Sequence, residues 1–131
     1  MKKYKSILLV DDDTTSNFIS ELIIQKLSIA ESVTSLKNGR EALTYVSTHC
    51  VLQCNDDCPQ IVFLDLHMPV MDGFDFLKQL TIQIPDYFNL FKIYILTSSN
   101  NPADIEKVME YNVEGYINKP LNAEKIMMLI Q

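Results

Sequence analysis

The sequence contains no tryptophan, only three glycines, and a single arginine, Arg40, among its eleven basic residues. The scarcity of glycine excludes collagen-like and low-complexity sequence. The longest apolar runs have four or five residues, far fewer than the ~20 that cross a membrane. A formal charge of −6 argues against a nucleic-acid-binding surface, which requires a basic face. Because 47% of the 131 residues are apolar, we expect one soluble cytoplasmic domain spanning residues 1–131.

The three cysteines, Cys50, Cys54 and Cys58, are spaced four residues apart and follow His49. One histidine and three cysteines are an acceptable zinc set, but structural zinc sites usually draw their ligands from two separated pairs. Pro59 also disfavours the helix that would align the cysteines on one face. We therefore predict free thiols in a loop.

Five short apolar segments alternate with segments that have helical periodicity. The predicted strands are Ile7–Val10, Val33–Lys37, Ile61–Leu64, Ile93–Leu96 and Gly115–Ile117. Apolar residues recur at helical spacing after the first strand, from Phe18 to Leu27. This alternation predicts a parallel sheet with right-handed crossovers and helices on both of its faces.

Polar residues follow the ends of four of the predicted strands. Asp11 and Asp12 follow the first strand, Asp65 follows the third, Thr97 the fourth, and Lys119 lies just past the fifth. A doubly wound sheet brings the carboxyl ends of its strands to one edge, where ligands bind. We therefore expect these five side chains to converge.

The chemistry of this set indicates phosphoryl transfer. Three neighbouring carboxylates repel one another unless a cation neutralises them, and oxygen ligands in a partly hydrated site suit Mg²⁺. A lysine and a hydroxyl provide the positive charge and the hydrogen-bond donor that a phosphoryl group needs. An aspartate carboxylate can itself accept the phosphoryl group. For Asp13, in contrast, we favour a purely structural role as a helix N-cap.

The residues at this edge also match a known family. They lie in four blocks: Leu8–Asp13, Leu64–Gly73, Leu96–Ser98 and Gly115–Pro120. Through these blocks the chain resembles, over essentially its whole length, the receiver domain of two-component response regulators of the single-domain chemotaxis type. The resemblance implies an α/β flavodoxin-like receiver fold, a doubly wound five-stranded parallel sheet of order 2-1-3-4-5 with five helices.

The resemblance implies a role for each residue of the metal site. Asp65 matches the phosphoacceptor that becomes 4-aspartylphosphate. Asp11 and Asp12 match the acidic pair that binds Mg²⁺, with Asp12 the more direct ligand. His67 matches the position whose backbone carbonyl completes the metal site, and its imidazole has no implied role there.

The resemblance also assigns the phosphoryl contacts and the output. Lys119 matches the lysine that neutralises the phosphoryl oxygens, and Thr97 the hydroxyl residue that hydrogen-bonds to them. Tyr116 matches the aromatic switch that turns inward when Thr97 moves. With Asn122 as its N-cap, the last helix is expected to point Ile126 and Ile130 inward. Two methionines, Met127 and Met128, are then expected to be more exposed, as part of a phosphorylation-sensitive contact surface.

The implied partners are a sensor histidine kinase or histidine phosphotransfer protein as phosphodonor, and a downstream protein target. The domain would be a signalling module that catalyses only its own phosphorylation and dephosphorylation. We expect no direct contact with nucleic acid or membrane, and a monomer or a weak phosphorylation-dependent dimer. Since the chain ends about one helix after Lys119, we expect a single-domain regulator.

The sequence departs from typical receivers at two places. The segments Gly39–Asp65, which holds the cysteines, and Leu80–Lys92 are both longer than usual. His67 and Ser99 occupy the two positions that help set the lifetime of the acyl phosphate in the family.

Two other functions compete with that of a phosphorylated receiver. A phosphatase of the haloacid-dehalogenase type would use Asp11 as nucleophile and Asp13 as general acid, but it needs an acidic metal motif after Lys119, where no aspartate follows. It also leaves the match around Asp65 unexplained. A degenerate receiver that acts only as an interaction module is disfavoured because every expected acidic, hydroxyl and lysine position is filled.

Overall fold

A computed structural model describes residues 4–52, 58–98 and 101–129. The strands are β1 (Tyr4–Val10), β2 (Ala30–Leu36), β3 (Ile61–Asp65), β4 (Lys92–Thr97) and β5 (Gly115–Asn118). The helices are α1 (Thr14–Leu27), α2 (Gly39–Val46), α3 (Gly73–Gln83), α4 (Pro102–Met109) and α5 (Ala123–Leu129). The strands pair in parallel in the order β2-β1-β3-β4-β5. The predicted fold and strand order are confirmed.

Both faces of the sheet are covered, which explains why the central strands read as continuous apolar runs. Successive side chains of β1 alternate between two hydrophobic cores: Leu8 and Val10 pack into one, and Ile7 and Leu9 into the other. The first core lies under α2, α3 and α4, and the second under α1 and α5. The register of β1 with β3 places the ends of these two strands side by side.

The first helix turns a largely polar face toward the sheet. Its buried residues are Asn17, Ser20 and Ile24. Three large apolar residues of the same helix are exposed, at 59%, 48% and 47% of their surface: Phe18, Ile19 and Leu22. The apolar spacing seen in the sequence therefore predicted the helix correctly, but its residues divide between two environments. Phe18, Ile19 and Leu22 face solvent, whereas Ile23 and Leu27 pack against the second core.

The prediction of free thiols is wrong for two of the three cysteines. Cys50 and Cys58 form a disulfide. Cys50 is buried in the first core, at the end of a π-helical segment, Ser47–Leu52, that continues α2. This segment and the disulfide account for part of the longer connection before β3. Cys54 lies outside the described residues.

The second longer connection, between α3 and β4, holds a single 3₁₀ turn, Tyr87–Asn89. Tyr87 is fully buried, and its hydroxyl accepts a hydrogen bond from the backbone N–H of Asn112 at 2.9 Å. The turn is therefore anchored to the segment that precedes β5.

The last helix follows the sequence prediction with one correction. The Asn122 side chain accepts a hydrogen bond from the backbone N–H of Lys125 at 2.8 Å, as an N-cap does. Ile126 is buried and Met128 is 73% exposed, as expected. Met127 is instead partly buried and packs against the second core. Ile130 lies outside the described residues. Among the described residues, no helix is long and apolar enough to cross a membrane.

Candidate functional site

Three carboxylates converge where β1 and β3 end. Asp11 and Asp65 are buried and Asp12 is exposed. One oxygen from each lies within 4.8 Å of the others. The sheet brings them together because Asp65 ends β3, and Asp11 and Asp12 directly follow β1 at the neighbouring position.

Lys119 places its ammonium group between two of these carboxylates. Its Nζ lies 2.6 Å from Asp11 Oδ2 and 3.3 Å from Asp65 Oδ2. The backbone helps to position it, since the N–H of Lys119 donates to the carbonyl of Thr97 at 2.9 Å. The Lys119–Pro120 peptide bond is cis. The structure thus joins Lys119 more closely to Asp11 than to Asp65.

The electrostatics of the site oppose ionisation of Asp65. Burial raises the pKa of Asp65, and the charge of Asp11 adds to this effect, although Lys119 partly counters it. For Lys119, burial alone would favour the neutral amine. Its pairing with Asp11 and the negative charge of Asp65 outweigh burial and raise the pKa of the ammonium group. Lys119 is therefore firmly charged at neutral pH.

The donor set fits a hard divalent cation. Its three acidic side chains offer oxygen ligands of the type that Mg²⁺ prefers. Asp11 Oδ2 is buried, and the Lys119 ammonium lies 2.6 Å from it. Such an oxygen, beside two other carboxylates, is able to bind a metal ion.

The predicted switch residues have contrasting environments. Thr97, at the end of β4, is 1% exposed, whereas Tyr116 on β5 is 44% exposed. The aromatic ring therefore faces outward in this structure. The side chain of His67 also points to solvent, and its Nε2 lies 3.2 Å from Asp104 Oδ2 at the start of α4. Ser99 lies outside the described residues.

The loop after Asp65 is held by close backbone contacts. The N–H of Gly73 donates to the carbonyl of Leu66 at 2.9 Å. A Cβ at Gly73 would lie 2.5 Å from the Asp65 carbonyl oxygen, which explains why glycine is needed there. Val70, in the same loop, has φ 70° and is 75% exposed, an unusual conformation for a β-branched residue.

Sequence reasoning missed two residues that contact the site. The Nδ2 of Asn17 donates to the carbonyl of Asp11 at 2.9 Å, and Asp104 contacts His67. Asn17 shares a helix face with Ser20 and Ile24, but their spacing does not show that this face is the buried one. Asp104 carries no comparable signal, since its contact depends on where α4 packs.

Asp13 settles one of the alternatives. Its side chain caps α1, accepting from the backbone N–H groups of Thr15 at 3.0 Å and Ser16 at 3.2 Å. The predicted structural role is confirmed, and the general-acid role required by a haloacid-dehalogenase mechanism is not supported.

A parallel sheet with acidic, hydroxyl and lysine residues at its carboxyl edge defines a class of phosphoryl-accepting α/β domains. A family model described as the response regulator receiver domain matches residues 7–131. The chain belongs to this family, and it is a receiver domain of two-component signalling.

Individual proteins similar to this chain are also response regulators or chemotaxis receivers. The chain is 27% identical to the chemotaxis protein CheY of Halobacterium salinarum over 124 residues, 94% of this chain and 91% of that protein. A two-component response regulator from Cytophaga hutchinsonii has a similar structure, with a TM-score of 0.86, 28% identity, and coverage of 98% and 95% of the two chains. The Mn²⁺-bound form of the response regulator Rcp1 matches with a TM-score of 0.75, 26% identity, and coverage of 97% and 89%.

Proposed function

We propose that Asp65 is the phosphoacceptor of this receiver and that its phosphorylation requires Mg²⁺. The observation that carries this proposal is the convergence of Asp11, Asp12 and Asp65 within 4.8 Å, with the Lys119 ammonium between two of them. Asp11, Asp12, Asp65 and the backbone carbonyl of His67 would hold the ion. Bound Mg²⁺ would supply positive charge that neutralises phosphoryl oxygens.

The chain's own residues perform the transfer. A carboxylate oxygen of Asp65 attacks phosphorus, an O–P bond forms as the N–P bond to the donor's imidazole breaks, and the bonding electron pair returns to that imidazole nitrogen. Lys119 then pairs with the phosphoryl oxygens, and the hydroxyl of Thr97 donates a hydrogen bond to them. Because the receiver supplies these groups itself, a small phosphodonor such as acetyl phosphate is expected to phosphorylate Asp65 without a protein donor.

The natural donor in this proposal is the phosphohistidine of a sensor kinase or of a histidine phosphotransfer protein. A donor must lie over the carboxyl edge of the sheet to reach Asp65. A cavity of about 370 Å³ adjoins this edge, lined in part by Ile19, Lys119 and Pro120. Ile19, one of the exposed apolar residues of α1, offers an apolar contact there for such a protein.

The output in this proposal is a protein contact made in the cytoplasm, without nucleic acid or membrane. Phosphorylation adds negative charge and acceptor oxygens, to which the hydroxyl of Thr97 would donate a hydrogen bond. Movement of Thr97 gives Tyr116 space to turn inward, which changes the surface formed by β5 and α5. This surface would contact a downstream protein or, weakly, a second copy of the chain.

The test is incubation with acetyl phosphate, with Mg²⁺ or with EDTA, followed by intact-mass measurement. We expect one added phosphoryl group on the wild type with Mg²⁺ and none with EDTA. Asp65→Asn should accept none, while Asp75→Asn, at an exposed position on α3, should behave as the wild type. Phosphorylation of Asp65→Asn at the wild-type level would overturn the assignment.

A further inference from the structure

Asn17 is a buried polar residue on α1, a helix that also exposes three large apolar residues, Phe18, Ile19 and Leu22. It is 6% exposed. Its Nδ2 donates to the carbonyl of Asp11 at 2.9 Å and to the carbonyl of Leu36 at 3.4 Å. A buried amide without partners is destabilising, so these two bonds explain how α1 tolerates asparagine there. One side chain thus joins α1 to the ends of both β1 and β2.

Besides the ion pair with Lys119, hydrogen bonds from Asn17 and from two backbone N–H groups hold Asp11 in place among the described residues. The N–H of Asp11 donates to the carbonyl of Leu36 at 3.0 Å. The N–H of Asp13 donates to Asp11 Oδ1, also at 3.0 Å. With Asn17 on the carbonyl of Asp11, the turn between β1 and α1 is fixed on both sides of Asp12.

Asp12 has the greatest need of this support. Its side chain is exposed, so packing restricts it little, and the backbone of the turn has the larger part in placing it. Its carboxylate must nevertheless stay within reach of Asp11 and Asp65. Loss of the Asn17 bond would leave the Asp11 carbonyl free to rotate, and Asp12 would move with it.

From this geometry we infer that Asn17 is a positioning residue of the acceptor site. Its amide holds the turn Asp11–Asp13 in the orientation that directs two carboxylates toward Asp65. The inference rests on the proposed function, because it assigns Asn17 to the same metal site. Replacing a residue that orients metal ligands without touching the metal typically lowers the affinity for the metal about 10–100-fold.

The experiment measures Mg²⁺ binding to the unphosphorylated protein by isothermal titration calorimetry. Asn17→Leu keeps a similar volume and removes both donors. We expect Mg²⁺ affinity to fall about 10–100-fold. The Mg²⁺ concentration needed for phosphorylation by acetyl phosphate should rise by the same factor, with the maximal rate at saturating Mg²⁺ retained. Ile24→Val, on the same buried face of α1, is the control for general destabilisation and should leave Mg²⁺ affinity unchanged.

Two further measurements keep the inference testable if Asn17→Leu does not fold. Asn17→Ala is smaller and should show the same loss of affinity in protein whose folding is verified by circular dichroism. In the wild type, the side-chain amide resonances of Asn17 should shift during a Mg²⁺ titration with the same midpoint as the backbone amides of Asp12 and Asp13.

The outcomes separate the two proposals. A wild type that neither binds Mg²⁺ nor accepts a phosphoryl group overturns the proposed function. A wild type that does both, with folded Asn17 variants that bind Mg²⁺ equally well or Asn17 resonances that do not shift, overturns only the positioning role. An equal loss of affinity in Ile24→Val also overturns it, because the loss would then follow from lower stability.

Discussion

At the scale of single residues, the acceptor site combines features that oppose folding. Asp65 is buried beside a second carboxylate, and both effects raise its pKa. Lys119 offsets part of this repulsion but lies closer to Asp11. The acceptor is therefore a charged group held in an environment that favours its neutral form, an arrangement that is common where a side chain must react.

The first prediction at this scale concerns Asp65→Asn in Mg²⁺-free buffer. Because the pKa of Asp65 is raised by folding, the folded state binds its proton more tightly than the unfolded state. The stability that Asp65 contributes is then present below its ordinary pKa of 3.8 and lost as pH rises through the raised value. The neutral variant should therefore have a higher thermal midpoint than the wild type at pH 7.

The difference between the two midpoints should shrink as pH falls from 7 through the raised pKa of Asp65, because the protonated carboxyl, like the asparagine amide, carries no charge. Asp75→Asn, at an exposed position, should change the midpoint little over the same pH range. A lower midpoint for Asp65→Asn at pH 7 would show that Lys119 stabilises the charge more than burial opposes it.

The second residue-scale prediction compares two glycines. A Cβ at Gly73 would lie 2.5 Å from the Asp65 carbonyl oxygen and 2.9 Å from Leu66 Cα, whereas a Cβ at Gly115 meets nothing within 4 Å. Gly73→Ala should lower the free energy of unfolding by about 1–3 kcal/mol, and Gly115→Ala by less than about 0.5 kcal/mol. Urea denaturation measures both, and equal effects would contradict the close approach at Gly73.

At the scale of elements, α1 and the extension of α2 depart from a simple amphipathic pattern. The buried face of α1 includes Asn17 and Ser20 beside Ile24, whereas Phe18, Ile19 and Leu22 are exposed. After α2, the chain continues as the π-helical segment Ser47–Leu52, which ends near a disulfide. The polar residue Asn17 is buried on α1 because it contacts Asp11 at the acceptor edge. The disulfide attaches the longer connection after α2 to the core, where Cys50 is buried.

The prediction at this scale concerns the disulfide. It joins residues eight apart in sequence, and closing a loop of this length should stabilise the fold by about 2–3 kcal/mol. Cys58→Ser, or reduction by dithiothreitol, should lower the free energy of unfolding by that amount. Cys54→Ser keeps both partners and serves as the control, with stability near that of the wild type.

Alkylation of the unreduced, denatured protein followed by mass spectrometry counts the thiols directly. With three cysteines in the chain and two in the disulfide, one should be modified before reduction and three after it. Three modified cysteines before reduction would show that the thiols are free.

At the scale of the whole molecule, the carboxylates and the exposed apolar residues of the last elements lie in different places on the parallel sheet. The carboxylates lie at the carboxyl edge, while the exposed apolar residues Met109, Tyr116 and Met128 lie on α4, β5 and α5. Thr97 ends the strand next to β5 and is buried. It is therefore placed to transmit a change at Asp65 to the neighbouring strand.

The prediction at this scale uses beryllofluoride, which mimics the phosphoryl group. NMR shifts in the wild type should extend from Asp65 through Thr97 to Tyr116 and α5, because Thr97 pairs with Asn118 of β5. In Thr97→Ala the shifts should remain around Asp65. Wild-type shifts that never reach Tyr116 or α5 would contradict this route of signalling.

The sequence by itself determined the order of elements and the residues of the acceptor edge. Apolar runs that end in Asp11, Asp65 and Thr97 predict buried parallel strands with polar ends. Parallel connection then requires those ends to meet. The strands could be predicted because their apolar runs are local sequence patterns. The meeting of their ends could be predicted because alternating strands and helices form few sheet topologies.

Only the tertiary structure decided which face of α1 is buried, how the cysteines pair, and which carboxylate Lys119 approaches most closely. Helical spacing predicts that Phe18 and Ile19 lie on a helix, but it does not show which face of that helix contacts the sheet. Asn17 is on the buried face because its amide donates to two carbonyls at the ends of β1 and β2. Likewise, Cys50 and Cys58 pair because the path of the chain after α2 brings them together. Such outcomes depend on contacts between distant segments, and no local pattern encodes them.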